Sequence, residues 1–120
     1  MEIIRMDART QNDKRMQYKL TKSPHVEKMQ DSTDQVINVI GFVFYTDTDK
    51  SAGTDKMILT VLDDNGRVLG TNSQTAQENF MDILEFFEED LQQEGGTIPV
   101  RITANTSKNK RTFIMLEYAG

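Results

Sequence analysis

The chain has 120 residues, no cysteine and a formal net charge of −5. A chain of this length forms one domain that can bury a core without metal or disulfide support. Its 37% hydrophobic and 28% charged residues argue against a membrane-spanning or largely disordered chain, and residues 1–20 are too polar for a signal peptide. We therefore expect a soluble cytoplasmic protein, in agreement with the absence of cysteine.

The N-terminal residues 1–31 are polar with isolated apolar positions, so we predict an arm there and a folded domain over residues 32–120. Within the arm, residues 14–21 could form a short edge strand, and Ser23-Pro24 suits the start of a helical turn. The arm could complete a sheet edge, clamp a ligand or join protomers into a homo-oligomer.

Residues 36–45 are the strongest predicted strand, because β-branched and aromatic side chains fill both of its faces. A strand that is apolar on both faces lies at the centre of its sheet, and Gly41 suits a bulge or a bend. Strict alternation divides its side chains into two sets: Val36, Ile40, Phe42 and Phe44 on one face, and Ile37, Val39, Val43 and Tyr45 on the other.

A second and a third strand are predicted over residues 57–62 and 67–71, joined by a tight turn at Asp64-Asn65-Gly66. One helix is predicted over residues 75–94. Thr75 and Glu78 match a capping box, apolar residues then recur at helical spacing, and Gly95-Gly96 ends the helix.

The last two strands are predicted over residues 98–104 and 111–118. A mainly β chain with one helix between its third and fourth strands suggests a five-stranded OB-fold-like barrel with an N-terminal arm. Barrels of this type commonly bind single-stranded nucleic acid or oligosaccharide.

Charge is segregated along the chain rather than spread evenly. Residues 1–30 and residues 98–120 carry an excess of Lys and Arg, whereas residues 63–94 hold nine acidic residues against Arg67 alone. Such asymmetry is more informative than the net charge. The local positive charge could contact phosphates although the protein as a whole is acidic.

The last two thirds of the chain resemble a protein family, the single-stranded DNA-binding proteins of small, protein-primed Bacillus podophages and related elements. The resemblance covers residues 38–118 and rests on Asp64-Asn65-Gly66 with Val68-Leu69, on Thr71-Asn72-Ser73-Gln74-Thr75-Ala76, on Val100-Arg101-Ile102-Thr103 and on Thr106-Ser107-Lys108-Asn109. It implies an OB-fold that coats displaced single strands during phage-type replication without sequence preference, in the host cytoplasm if the protein is phage-encoded.

Single-strand binding needs aromatic faces for bases and cations for phosphates. Tyr45, Phe113 and Tyr118 are the candidate stacking residues. Lys108, Lys110 and Arg111 on the final hairpin are the candidate phosphate contacts, and Lys14, Arg15 and Lys19 with Tyr18 form a second basic-aromatic cluster. For each cluster the alternative is an ordinary solvated surface.

No enzyme, metal site or cofactor is predicted. His25 is the single histidine, so zinc has few ligands available. The residues around Asp47 and Asp55 imitate part of a calcium loop but lack its glycine and its glutamate. The rival hypothesis is a phage-encoded OB-like adaptor or inhibitor that docks a host protein through its acidic surface, which the charge of residues 82–94 motivates.

Overall fold

The computed structural model describes residues 1–8, 13–49, 53–106 and 108–120, and it describes Asp49 by its backbone alone. Their strands are β1 (Glu2–Ala8), β2 (Glu27–Lys28), β3 (Val36–Asp49), β4 (Thr54–Asp63), β5 (Val68–Thr71), β6 (Ile98–Thr106) and β7 (Thr112–Tyr118). The α-helices are α1 (Lys14–Thr21) and α2 (Gln74–Phe87), and two short 3₁₀ helices span Met29–Ser32 and Glu88–Gln92.

The strands form one mainly antiparallel sheet in the order β2-β5-β4-β3-β6-β7, with β1 also paired to β3. This sheet curls into an open half-barrel. The prediction of a mainly β, barrel-like fold is confirmed, but the predicted number of strands and helices was wrong. The described residues contain seven strands and two α-helices, because the N-terminal segment adds β1, α1 and β2.

Strand β3 is long enough to pair with three others. One edge pairs with β4 from Val39 to Asp49. The other edge pairs with β6 over residues 36–39 and with β1 over residues 41–46. Gly41 lies at this division, and a Cβ there would sit 3.0 Å from Ala8 Cα. Its missing side chain therefore lets β1 approach β3 closely.

The pairing of β3 with β4 shifts register between Val39 and Gly41, at the place where a bulge or a bend was predicted. An extra residue reverses the alternation of side chains beyond it. Ile37 and Val39 consequently share the main core with Phe42 and Phe44, and the strict alternation predicted for the two faces was wrong.

The main core lies between the inner face of the curled sheet and α2. Phe80 of α2 packs against Phe42 with ring centroids 5.5 Å apart and an interplanar angle of 70°, a favourable edge arrangement. Ser73, not Thr75, is the N-cap, since its side chain accepts a hydrogen bond from Ala76 N at 3.3 Å. The α-helix ends at Phe87, and a 3₁₀ turn continues it to Gln92.

The N-terminal segment covers the outer face of the sheet. Residues 14–21 form α1 instead of the suggested edge strand, and Asp13 caps this helix by accepting from the backbone N–H groups of Arg15 and Met16. Leu20 and half-buried Met16 join a second apolar cluster with Val43, Tyr45, Leu62 and Val68. Apolar residues at positions 16, 18 and 20 imitate strand alternation, but Tyr18 faces solvent.

Among the described helices, none is both long and apolar enough to cross a membrane.

If α1 is an integral part of the fold, Leu20→Ala should lower the free energy of unfolding by about 2–5 kcal/mol, because a fully buried side chain leaves a cavity. Urea denaturation followed by circular dichroism measures this change. Tyr18→Ala on the exposed side of the same helix is the control and should stay within about 0.5 kcal/mol. An equally small effect for Leu20→Ala would show that α1 does not dock in solution.

Candidate nucleic-acid interface

A concave band runs beside β5. Its centre is a depression of 340 Å³ with Tyr45, Thr60 and Gly70 among its lining residues, and with Lys28 and Gln30 beside them. Strand β2 forms this border because Glu27 and Lys28 pair in parallel with Leu69 and Gly70 on the edge of β5.

The band continues on both sides of Asn72. A neighbouring depression of 580 Å³ shares Gln30, Thr71 and Asn72 with the first and reaches Phe113 of β7. Another of 600 Å³ shares Asn72 and reaches Lys56. We call the three together the β5 groove.

The lining of the β5 groove mixes polar and apolar side chains. Amides and hydroxyls share it with apolar residues, two lysines balance two glutamates, and one half-buried aromatic ring lies at its end: Gln30, Thr71, Asn72, Gln74, Thr75, Val26, Met57, Ile58, Met81, Lys28, Lys56, Glu27, Glu78 and Phe113. Amide groups both donate and accept hydrogen bonds. Such a surface can contact the polar edges of many different bases.

Two side chains of the α2 region hold β7 beside the groove. Ser73 Oγ donates to the carbonyl of Ile114 at 3.3 Å, and Asn79 Oδ1 accepts from the N–H of Leu116 at 3.0 Å. Strand β7 is an edge strand, so these contacts satisfy backbone groups that no strand pairs. They also fix the position of Phe113 relative to Asn72.

An ion pair fixes the wall of the β5 groove that lies opposite β7. Arg67 binds both carboxylate oxygens of Glu27, through Nε at 3.2 Å and Nη2 at 3.1 Å. The same guanidinium donates to Ser32 Oγ at 2.9 Å and to Gln35 Oε1 at 3.2 Å. The hydrogen bonds from Arg67 lower the pKa of Glu27. This fork ties the segment that carries Lys28 and Gln30 to the β4–β5 turn.

Tyr45 does not offer the stacking face that the sequence suggested. The residue is 5% exposed and lies in the cluster beneath α1, and its hydroxyl donates to the Thr21 carbonyl at 3.3 Å. Burial raises the pKa of Tyr45 above its usual value near 10, against smaller opposing effects of the Thr60 hydroxyl and the Lys22 ammonium. Only a small part of Tyr45 therefore reaches the 340 Å³ depression, and most of the ring belongs to the packing.

The other two candidate aromatics lie on opposite faces of β7. Phe113 borders the β5 groove. Tyr118 lies at the far end of the strand and stacks on Phe87, with centroids 3.8 Å apart and planes 5° from parallel. The fold therefore does not bring Tyr45, Phe113 and Tyr118 together.

The predicted cations also divide between two places. Lys108, Lys110 and Arg111 are exposed in the β6–β7 turn that leads into Phe113. Lys14, Arg15 and Lys19 are exposed on α1 together with Tyr18. Of these four α1 residues, Lys19 lines a depression beside His25 and Arg67 that shares Glu27 with the β5 groove.

Sequence reasoning missed the amide lining of the groove. Gln30 and Asn72 were not singled out, although the run from Thr71 to Thr75 was noticed as a polar link. Amide-rich links of this kind usually indicate a loop. Only the fold shows that this one lies between β5, β7 and the start of α2.

Most acids of the helix lie elsewhere. Glu85, Glu88 and Glu89 line another groove of 560 Å³ with Phe86 and with Met81, which also borders the 600 Å³ part of the β5 groove. Glu78 is the exception because it reaches the β5 groove, where it accepts a hydrogen bond from Gln74 Nε2 at 3.0 Å.

Within the described part of the chain, no group of three or more His, Cys, Asp or Glu residues is placed to hold a metal ion. Comparisons with known proteins found no matching protein family, no matching curated protein and no matching solved structure.

The raised pKa of Tyr45 predicts a specific alkaline instability. A hydroxyl whose pKa is higher in the folded state contributes stability that is complete below pH 10 and is lost as the pH rises through the folded-state pKa. Tyr45→Phe should cost about 0.5–1.5 kcal/mol at neutral pH, through the lost hydrogen bond, and should flatten the decline above pH 10.

Urea denaturation between pH 8 and about 11 measures the effect. Tyr18→Phe, which changes an exposed hydroxyl, is the control and should keep the wild-type decline. A Tyr45→Phe profile as steep as that of the wild type would contradict the burial of this hydroxyl.

Proposed function

We propose that the chain is a non-enzymatic single-stranded DNA-binding protein that coats displaced strands during phage-type replication without sequence preference. One observation carries the proposal. Strands β3 to β7 follow the order β5-β4-β3-β6-β7 with α2 inserted after β5, and this order supports the proposal of an OB-like barrel. In OB barrels the second and third strands and the adjoining loops bind oligonucleotides, and in the proposed arrangement those strands would be β4 and β5.

The β5 groove lies on this part of the fold. Its residues support sequence-tolerant binding, because amides can contact varied bases, Phe113 offers a ring and Lys28 and Lys56 offer cations. Glu27 and Glu78 balance these two lysines, so the net positive charge has to come from the adjoining turn. Lys108, Lys110 and Arg111 extend the positive charge along the adjoining β6–β7 turn. Phosphates would follow these cations while bases point towards Phe113 and Asn72.

Binding should be salt-dependent, with a log-log slope of about −0.7 per phosphate contact on a single strand. Fluorescence anisotropy with an oligo-dT probe measures this slope. Replacing Lys108 and Lys110 by Ala should weaken binding and make the slope less negative by about 1.4, since two contacts are lost.

Arg5→Ala is the control, because Arg5 pairs with Glu88 in the acidic groove and lines none of the three depressions of the β5 groove. It should leave the slope unchanged. Absence of oligo-dT binding at low salt would refute the proposal, and equal slopes for the double variant and the wild type would remove the β6–β7 turn from the interface.

Phe113→Ala should weaken oligo-dT binding by about 1–3 kcal/mol, because one base loses its stacking partner. Phe86→Ala is the control, since Phe86 is exposed and lines none of the three depressions of the β5 groove. The probe is an oligo-dT short enough to hold one protein molecule, so that contacts between molecules do not contribute. The anisotropy titration should separate the two variants clearly. Equal affinities would show that Phe113 does not stack.

A second candidate function is an adaptor or inhibitor that docks a host protein. The acidic groove with exposed Phe86 favours it. In that case the protein should fail to bind oligo-dT, and substitutions in the β5 groove should not affect its activity.

A further inference from the structure

The acidic groove combines negative charge with exposed apolar surface. It is lined by Met81, Leu84, Glu85, Phe86, Glu88, Glu89 and Gln92 together with Arg5, which pairs with Glu88. Three carboxylates against one guanidinium leave the groove negative. Phe86 is 78% exposed and Met81 is 42% exposed, although residues of this size are usually buried. An exposed aromatic ring rimmed by carboxylates is typical of a contact site for a basic, apolar partner.

Helix α1 carries a surface of the opposite charge, which also includes an exposed aromatic ring. Lys14 and Tyr18 are four residues apart, as are Arg15 and Lys19, so the four side chains share one side of the helix. All four are exposed, with Tyr18 at 59%. None of the three cations forms an ion pair with another described residue. We call this surface the basic face of α1.

We propose that the acidic groove of one protein molecule binds the basic face of α1 of a second copy. The two surfaces are complementary in charge, and each carries an exposed aromatic ring, Phe86 on one and Tyr18 on the other. Because they are different surfaces on different elements, the contact is head to tail and leaves one of each free at the ends. Such a contact extends into an open chain unless it closes into a ring.

This inference does not rest on the proposed function. If both hold, neighbouring molecules would touch along a coated strand and DNA binding would be cooperative. Self-association without DNA tests the contact by itself.

Two charge-reversed variants provide the test. The first carries Lys14→Glu and Arg15→Glu, and the second carries Glu85→Lys and Glu89→Lys. All four positions are exposed. The new acids fall in the first turn of α1 and the new cations near the end of α2, where the helix dipoles favour them, so both variants should fold.

Sedimentation velocity at low salt should show that the wild type associates with increasing concentration and that each variant alone stays monomeric. An equimolar mixture should associate again, because each variant supplies the partner for the reversed surface of the other. Added salt should dissociate both the wild type and the mixture. Phe86→Ser should weaken association of the wild type.

The control variant carries Asp31→Lys and Asp64→Lys, which reverse two exposed charges outside the acidic groove. It should associate like the wild type. A monomeric wild type, or a mixture that stays monomeric, would overturn the proposal. If the Lys14→Glu and Arg15→Glu variant still associates but loses affinity for a short oligo-dT, the basic face is a DNA contact, and the proposal is equally overturned.

Discussion

The burial of β3 on both of its faces is the constraint on which the other elements depend. Its inner face needs the core that α2 and the curled sheet supply. Its outer face needs a second cover, and the N-terminal segment supplies it through Leu20, Met16 and Ile3. A strand with large apolar side chains on both faces has no stable alternative in water, because each uncovered face would leave several of them hydrated. The N-terminal segment is therefore as necessary to the sheet as its neighbours are.

The bulge beside Gly41 makes this arrangement possible. It lets one edge of β3 pair first with β6 and then with β1. It also keeps Phe42 and Phe44 in the core with Ile37 and Val39. Without the register shift, those phenylalanines would lie under α1 and Tyr45 would enter the core. Curling of the sheet and placement of the aromatics thus have one local cause.

The five later strands and the start of α2 were predicted within a few residues, because alternation, the Asp64-Asn65-Gly66 turn and the helical spacing of Phe80, Ile83 and Leu84 are local signals. The predicted end of the helix at residue 94 was wrong, since α2 ends at Phe87 and a 3₁₀ helix follows it. The N-terminal elements β1, α1 and β2 were not predicted. The apolar residues of α1 bury themselves against distant strands, and β2 has only two residues. Their conformation depends on tertiary contacts that a local pattern does not contain. The candidate site was affected in the same way, since Tyr45 was judged as if its face were open.

Covering Tyr45 has a consequence for how a ligand could bind. On an open barrel the outer face of the central strands is available for stacking, but here α1 occupies it with Leu20 at 0% exposure. What remains open is the strip beside β5, where the N-terminal segment returns as β2 and where the sheet does not close onto β7. Closure of a barrel would pair β5 with β7. The gap instead places amide side chains between them, with the cations of the β6–β7 turn close by. The segment that closes the outer face therefore also determines that the accessible surface is a groove at the sheet edge with both polar and apolar lining.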